Sequence, residues 1–356
     1  MSKILYIVMS DIDLKNNNSG PTVRSLEILK QLKALHRDVD VIMAKNSKER
    51  WQQFKLLDKD NVYDFCYIES KVGVTRYYDT LLLLFLKKKF RNLIVGLYYR
   101  DMYWKYGIQV SKGVIKNLFV PFVNKCYLKL LGNICDVIFG QSGDFCKSME
   151  GIVSDKCELE ILPPGCEEVQ ELQKEAFGVI YVGEIDSVFS GVELLIDSMR
   201  LVNHKQKVPL YLVCRKHEYD ENTFLREANY KYEWLNIEHH TKETIGEVYS
   251  KANLAMIPRY KSEYTKLCMP IKLFESISYE LPIVAVQHGE TTRFIEESNI
   301  GLITNTNPNQ IADSILRLIS DRDLRGEMID NLKIAKEKNS WTNRVREISR
   351  VLGKVH

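Results

Sequence analysis

The chain has 356 residues, 45% apolar and 27% charged, so it can bury two cores of ordinary size, and its net charge is only +3. Its longest apolar run of note, residues 81–86, falls far short of the roughly 20 that span a bilayer, and the opening MSKILYIVMSD turns polar too soon for a signal peptide. Eight cysteines (Cys66, Cys126, Cys135, Cys146, Cys157, Cys166, Cys214, Cys268) form no CxxC pair and lack histidines at metal spacing. They read as reduced thiols of a cytoplasmic protein, against a disulfide frame or a zinc site.

Taken in order, residues 4–9 form an apolar run that predicts a first strand, followed by a loop over 11–20. An amphipathic helix follows over 22–35, with strands over 39–44, 63–68 and 93–98. Alternating helix and strand implies a parallel sheet with helices on both faces, and ligands of such sheets sit outside the carboxyl ends of the strands. That places the loop Asn18-Ser19-Gly20-Pro21 and the segment Tyr98-Tyr99-Arg100-Asp101 at one rim. A helix over 114–131, a strand over 137–140 and a short helix over 144–149 complete the half. Leu162-Pro163-Pro164-Gly165 then punctuates the chain, and polar residues follow it. The expected domains are 1–170, 171–340 and a helix over 341–356 crossing back to the first.

Charge is unevenly spread. Residues 71–135 hold twelve Lys or Arg against Asp79 and Asp101, a net +10, so the remainder is −7. Lys87, Lys88 and Lys89 form its densest run, and aromatics such as Phe85, Phe119 and Phe122 are interleaved. The mixture suits an anionic membrane surface, and equally a solvated basic face with aromatics in the core. No helix-turn-helix or finger pattern argues for nucleic acid.

The second half restarts the alternation: strands over 179–182, 210–213 and 254–257, helices over 192–202 and 245–250. The stretch MPIKLFESISYELPIVAV, residues 269–286, then organises it. Apolar Ile271, Phe274 and Ile277 or Ser278 have helical spacing and leave Lys272 and Glu275 on another face. Residues 281–286 read as a buried parallel strand. Pro270 suits a first-turn position, and a helix start with Lys272 in its first turn is an anion site, phosphate being the usual anion. Residues 287–293 read as a loop after a strand end, with His288 beside Gly289. Helices over 311–319 and 341–352 close the chain. Two parallel-sheet domains imply a cleft between them that holds substrates.

The second half resembles the nucleotide-sugar domain of family-4 glycosyltransferases (glycosyl transferases group 1), which have the GT-B fold. The agreement runs in order through Ile180-Tyr181-Val182-Gly183, Ser190-Gly191-Val192, the strand ending at Pro258, Pro270-x-Lys272-x-x-Glu275, Leu281-Pro282-Ile283-Val284-Ala285 and Gly289. Asp136-Val137-Ile138, Ser142, the Leu162 to Gly165 turn and Ser340-Trp341 are also family-like. The resemblance implies two Rossmann-like domains and transfer of a sugar from a UDP- or GDP-sugar, with no cofactor or metal required. It gives Glu275 the donor ribose, Lys272 the diphosphate, and neighbouring Ser276, Gly183 and Gly289 places in the donor site.

Departures accompany the match. Where the family often carries an Arg and a Lys as a diphosphate clamp, Glu184 and Ser190 stand, and Leu267 replaces the usual first glutamate. The leaving group still needs cations. Arg215 is one replacement, and Arg259, Lys261 and Lys266 are others. On the acceptor side, Asp101 is either a general base for an inverting reaction or an ion-paired structural residue. Gly20 either lets backbone approach the donor phosphate or is a plain turn glycine. The expected protein is a cytoplasmic transferase, peripheral on the inner face of the membrane. Its acceptor would be a saccharide, lipid-linked, on the way to a capsule or other surface polysaccharide. The rival readings are a catalytically silent partner of an active transferase, motivated by the lost clamp, and a nucleotide-sugar epimerase of the same fold.

Overall fold

The computed structural model describes residues 3–12, 20–36, 38–108, 114–169, 177–185 and 189–354, with backbone alone at 20, 21 and 114–118. Asn18, Ser19, Lys112 and the boundary expected at 170/171 lie outside the described residues. The chain divides into two compact units, one of Met1–Gly165 with Trp341–His356, the other of Cys166–Ser340.

The first unit runs β1 (Lys3–Val8), α1 (Gly20–Leu35), β2 (Asp38–Ile42), α2 (Ser47–Leu56), β3 (Phe65–Glu69), α3 (Tyr77–Lys89), β4 (Val95–Tyr98), α4 (Val114–Ile134), β5 (Val137–Gly140), α5 (Gly143–Lys147) and β6 (Glu158–Ile161). Its six strands pair in parallel in the order β2-β1-β3-β4-β5-β6. β1, β3, β4 and β5 are buried along nearly their whole length, which is why they are mostly apolar, Glu69 at the end of β3 being the buried exception.

The second unit runs β7 (Val179–Val182), α6 (Val192–Lys205), β8 (Leu210–Val213), α7 (Lys216–Glu221), α8 (Thr223–Lys231), β9 (Leu235–Glu238), α9 (Ile245–Tyr249), β10 (Leu254–Ile257), α10 (Ile271–Ser278), β11 (Ile283–Val286), α11 (Glu290–Glu297), β12 (Gly301–Thr304), α12 (Pro308–Ser320) and α13 (Arg322–Lys338). Its order is β12-β11-β10-β7-β8-β9, again parallel throughout. The last helix, α14 (Trp341–Leu352), packs on α1 in the first unit. Its Trp341, Val345 and Ile348 join Ile4, Tyr6 and Tyr67 in that unit's core.

The elements differ from the expected ones in specific ways. Residues 287–293 are not all loop, since α11 begins at Glu290. Phe90, Tyr98, Tyr99, Trp104 and Tyr127 of the basic window are buried, so only part of its aromatic content faces solvent. All eight cysteines are free thiols, and Cys126 on α4 is the exposed one.

Candidate functional site

Strand order in the second sheet reverses between β7 and β10, the kind of point where open parallel sheets bind ligands beyond their strand ends. Gly183 follows β7, and its N–H donates to the Val213 carbonyl at 3.1 Å, which ties it to the end of β8. Gly191 caps α6 at φ +66°, and a Cβ there would lie 1.8 Å from the Pro258 carbonyl oxygen. Only glycine permits so close an approach. A bond from Tyr260 N to Phe189 O at 3.1 Å reinforces the same junction.

Arg215, expected as a replacement cation, begins the turn after β8. It donates to Glu218 at 3.0 Å and pairs with Glu184 at 3.7 Å. Its charge is thus shared between two carboxylates. Arg259 follows β10 and acts electrostatically on both Tyr181 and His288. Of the two, Arg259 is closer to the reversal of strand order.

The chain leaves β10 at its carboxyl end and returns through α10 into parallel β11, so the amino end of α10 must lie at the same edge. Pro270 is the N-cap rather than a first-turn residue, and its carbonyl accepts from Leu273 N at 3.1 Å. The buried apolar face is Leu273, Phe274 and Ile277, whereas Ile271, expected there, is only half-buried. On the polar side the Lys272 ammonium donates to both Glu275 oxygens, at 3.0 and 2.8 Å. Glu275 also accepts from the Tyr249 hydroxyl at 3.3 Å. Tyr249 is buried and stacked on Tyr279 with ring centroids 4.0 Å apart, which fixes the direction of that bond. Ser276 points its hydroxyl at the Lys272 carbonyl, 2.9 Å away. Leu267, in the turn before α10, is buried.

Gly289 takes φ +122°, and a Cβ there would lie 2.4 Å from the Lys266 carbonyl oxygen. That contact presses the start of α11 against the turn leading into α10. Thr291 secures it by donating to the Cys268 carbonyl at 2.7 Å. His288 is completely buried, with Nδ1 2.6 Å from the Val286 carbonyl. A carbonyl only accepts, so Nδ1 carries the proton and Nε2 is an acceptor, buried with no partner. Burial holds this imidazole down at about 4, with Arg259 adding to the effect, so it is neutral at ordinary pH.

Gly183, Arg215, Arg259, Lys272, Glu275, Ser276 and Gly289 thus share the carboxyl edge of the second sheet or the helices that start from it. Gly20 and Asp101 belong to the first unit, at the start of α1 and just beyond β4. Tyr249 was not anticipated, and no local pattern marks a tyrosine whose partner is 26 residues away. Among the described residues, no group of three or more His, Cys, Asp or Glu is placed to hold a metal ion.

Residues 176–321 match the family model for Glycosyl transferases group 1. No curated protein matches the chain significantly. Solved structures of similar fold include sucrose-phosphate synthase from Thermosynechococcus elongatus, with TM-score 0.70 and 15% identity over 99% of this chain and 98% of that one. HepE from Anabaena, in complex with UDP-glucose, matches with TM-score 0.66 and 14% identity over 100% of both chains. WaaG, a glycosyltransferase involved in lipopolysaccharide biosynthesis, matches with TM-score 0.63 and 12% identity over 98% of this chain and 99% of that one. The fold is GT-B, and residues 176–321 carry a domain that matches Glycosyl transferases group 1.

Proposed function

We propose that the chain transfers a sugar from a UDP- or GDP-sugar, held at the β7/β10 edge of the second unit, to a saccharide held by the first. The observation that carries this reading is the placement of Lys272 and Glu275 together at the amino end of α10, on the edge where the sheet reverses. There the Lys272 ammonium and the helix start meet the diphosphate, and Arg259 adds a second cation against the charge that develops on the leaving group. Glu275 accepts both ribose hydroxyls, with Tyr249 keeping its carboxylate oriented. Ribose replaces Lys272 on that carboxylate, which frees the ammonium for phosphate. Asp101 serves the acceptor hydroxyl as general base if the reaction inverts configuration.

The test is transfer and binding with a panel of UDP- and GDP-sugars. Lys272→Ala is expected to weaken UDP by about 10- to 100-fold, the value of one charge-assisted contact, and uridine far less. Equal losses for UDP and uridine would remove Lys272 from the diphosphate, and no nucleotide affinity in the parent protein would defeat the donor reading.

The acceptor in this proposal is lipid-linked, destined for a surface polysaccharide, and met by a cytoplasmic enzyme resting on an anionic membrane. Support comes from α4, where Phe119, Phe122 and Val123 are exposed at 63%, 68% and 47% in helical register, beside exposed Lys125 and Lys129. Neighbouring α3 adds exposed Phe85 and Lys88. Lys87 is instead paired with Asp136 at 2.7 Å, and Lys89 donates to the Phe54 and Lys55 carbonyls, so these two serve the fold. Binding to phosphatidylglycerol vesicles should fall about five-fold for each of Lys125→Gln and Lys129→Gln and fall further for Phe122→Ser. Unchanged binding would return the window to an ordinary solvated face.

A further inference from the structure

The first sheet also reverses its strand order, between β1 and β3, and a buried charged cluster stands at that point. Glu69, the last residue of β3, is fully buried. Its Oε1 accepts from Arg24 Nε at 3.0 Å and from the Tyr67 hydroxyl at 2.9 Å, and its Oε2 accepts from Arg100 Nη2 at 3.2 Å. Arg24 comes from α1, and its guanidinium lies 3.6 Å from the centre of the Tyr98 ring. Each of its three nitrogens has a partner, since it donates also to the Pro163 carbonyl and the Tyr67 hydroxyl.

Arg100 is different. It is 7% exposed, yet it spends one donor on Glu69 and its Nε is buried with no partner. Two more donors in the same neighbourhood are buried without an acceptor: Ser70 Oγ, next to Glu69, and the indole nitrogen of Trp341, whose ring lies 5.8 Å from the Arg24 guanidinium. Two buried guanidinium groups thus share one buried carboxylate. Asp101, half-buried beside Arg100, also acts on Tyr98 and Tyr99, from a position that solvent reaches. Buried cations are retained where something pairs with them, and a planar guanidinium with unused N–H groups fits an oxyanion.

We infer that Arg100 is the docking cation for an oxyanion on the acceptor, a phosphate or a carboxylate, held at the β1/β3 edge of the first unit. The inference rests on the first unit being the acceptor side, and it adds that the acceptor carries negative charge near the position that receives the sugar. Arg24 and Glu69 act as positioning residues that hold the guanidinium plane, since they spend their polar atoms on one another.

The experiment titrates inorganic phosphate and, separately, glucuronate into the full-length protein, with UDP as the control ligand. Saturable binding of one of the two is expected at millimolar affinity or better. It should weaken at least ten-fold in Arg100→Met and by a smaller factor in Arg100→Lys, whose ammonium keeps the charge but loses the fork. Phosphate binding alone assigns a phosphoryl group, and glucuronate binding alone a carboxylate. Should Arg100→Met fail to fold, judged by loss of UDP binding, the Lys variant carries the test. An unchanged affinity in the Arg100 variants, or no saturable binding of either anion by the parent protein up to about 10 mM, overturns the inference. If UDP binds while neither anion does, the donor reading stands and this one falls. Anion binding that depends on Arg100, in a protein that does not bind UDP, upholds the anion site and defeats the donor reading.

Discussion

Both sheets reverse strand order, but they furnish the reversal with opposite materials. At β7/β10 the junction is made of backbone: Gly191 against the Pro258 carbonyl, Gly289 against Lys266, and Gly183 bonded to Val213. Its charged groups, Lys272 and Arg215, stay partly exposed and pair along the surface. At β1/β3 the junction is made of side chains: buried Glu69 pairs with Arg24, whose guanidinium lies over the Tyr98 ring, and with Arg100. A backbone junction admits a ligand closely but tolerates no added Cβ, while a side-chain junction tolerates no lost charge.

The comparison can be broken in order of expected effect. Glu69→Ala should destabilise the protein by about 3–5 kcal/mol, because it strands two buried guanidinium groups, and urea unfolding would read this directly. A loss below about 1 kcal/mol would mean that the cluster is solvated. Gly191→Ala should cost about 3 kcal/mol, combining left-handed strain with the Pro258 contact, and should impair UDP binding as well. Full stability in that variant would show the junction to be looser than described.

His288 sharpens the contrast through pH. Its folded value near 4 lies below the roughly 6.5 of an unfolded chain, so the unfolded state binds the extra proton between those values. Stability therefore falls as pH drops from about 6.5 to 4, by up to about 3 kcal/mol, and this component should vanish in His288→Asn. Identical pH slopes for the two proteins would show that the imidazole is not held neutral. Smallest is Lys272→Ala, whose exposed pair should change stability by less than about 1 kcal/mol despite its larger effect on UDP.

How much of this was legible depended on burial. The strands Val137–Gly140, Val179–Val182, Leu210–Val213 and Leu254–Ile257 coincide with their expected ranges because their residues are continuously apolar. β6 (ELEI) and β9 (LNIE) escaped notice as edge strands whose polar residues interrupt the run. α2 and α13 escaped because their polar residues outnumber the apolar ones and most face solvent. At the β7/β10 edge, Lys272 and Glu275 were visible through helical spacing, but the engagement of Arg215 by Glu184 was not, since 31 residues separate them. Likewise nothing local ties Arg24 to Glu69 or Arg100, which meet only once α1, β3 and β4 have assembled.

The lone exposed thiol has a practical consequence. Cys126 sits one turn beyond Phe122 on α4, while the other seven cysteines are buried. A single maleimide dye should therefore attach to the native protein at one place, beside the exposed Phe122 and Lys125 of the surface proposed to meet lipid. Its fluorescence would report vesicle contact without any engineered residue.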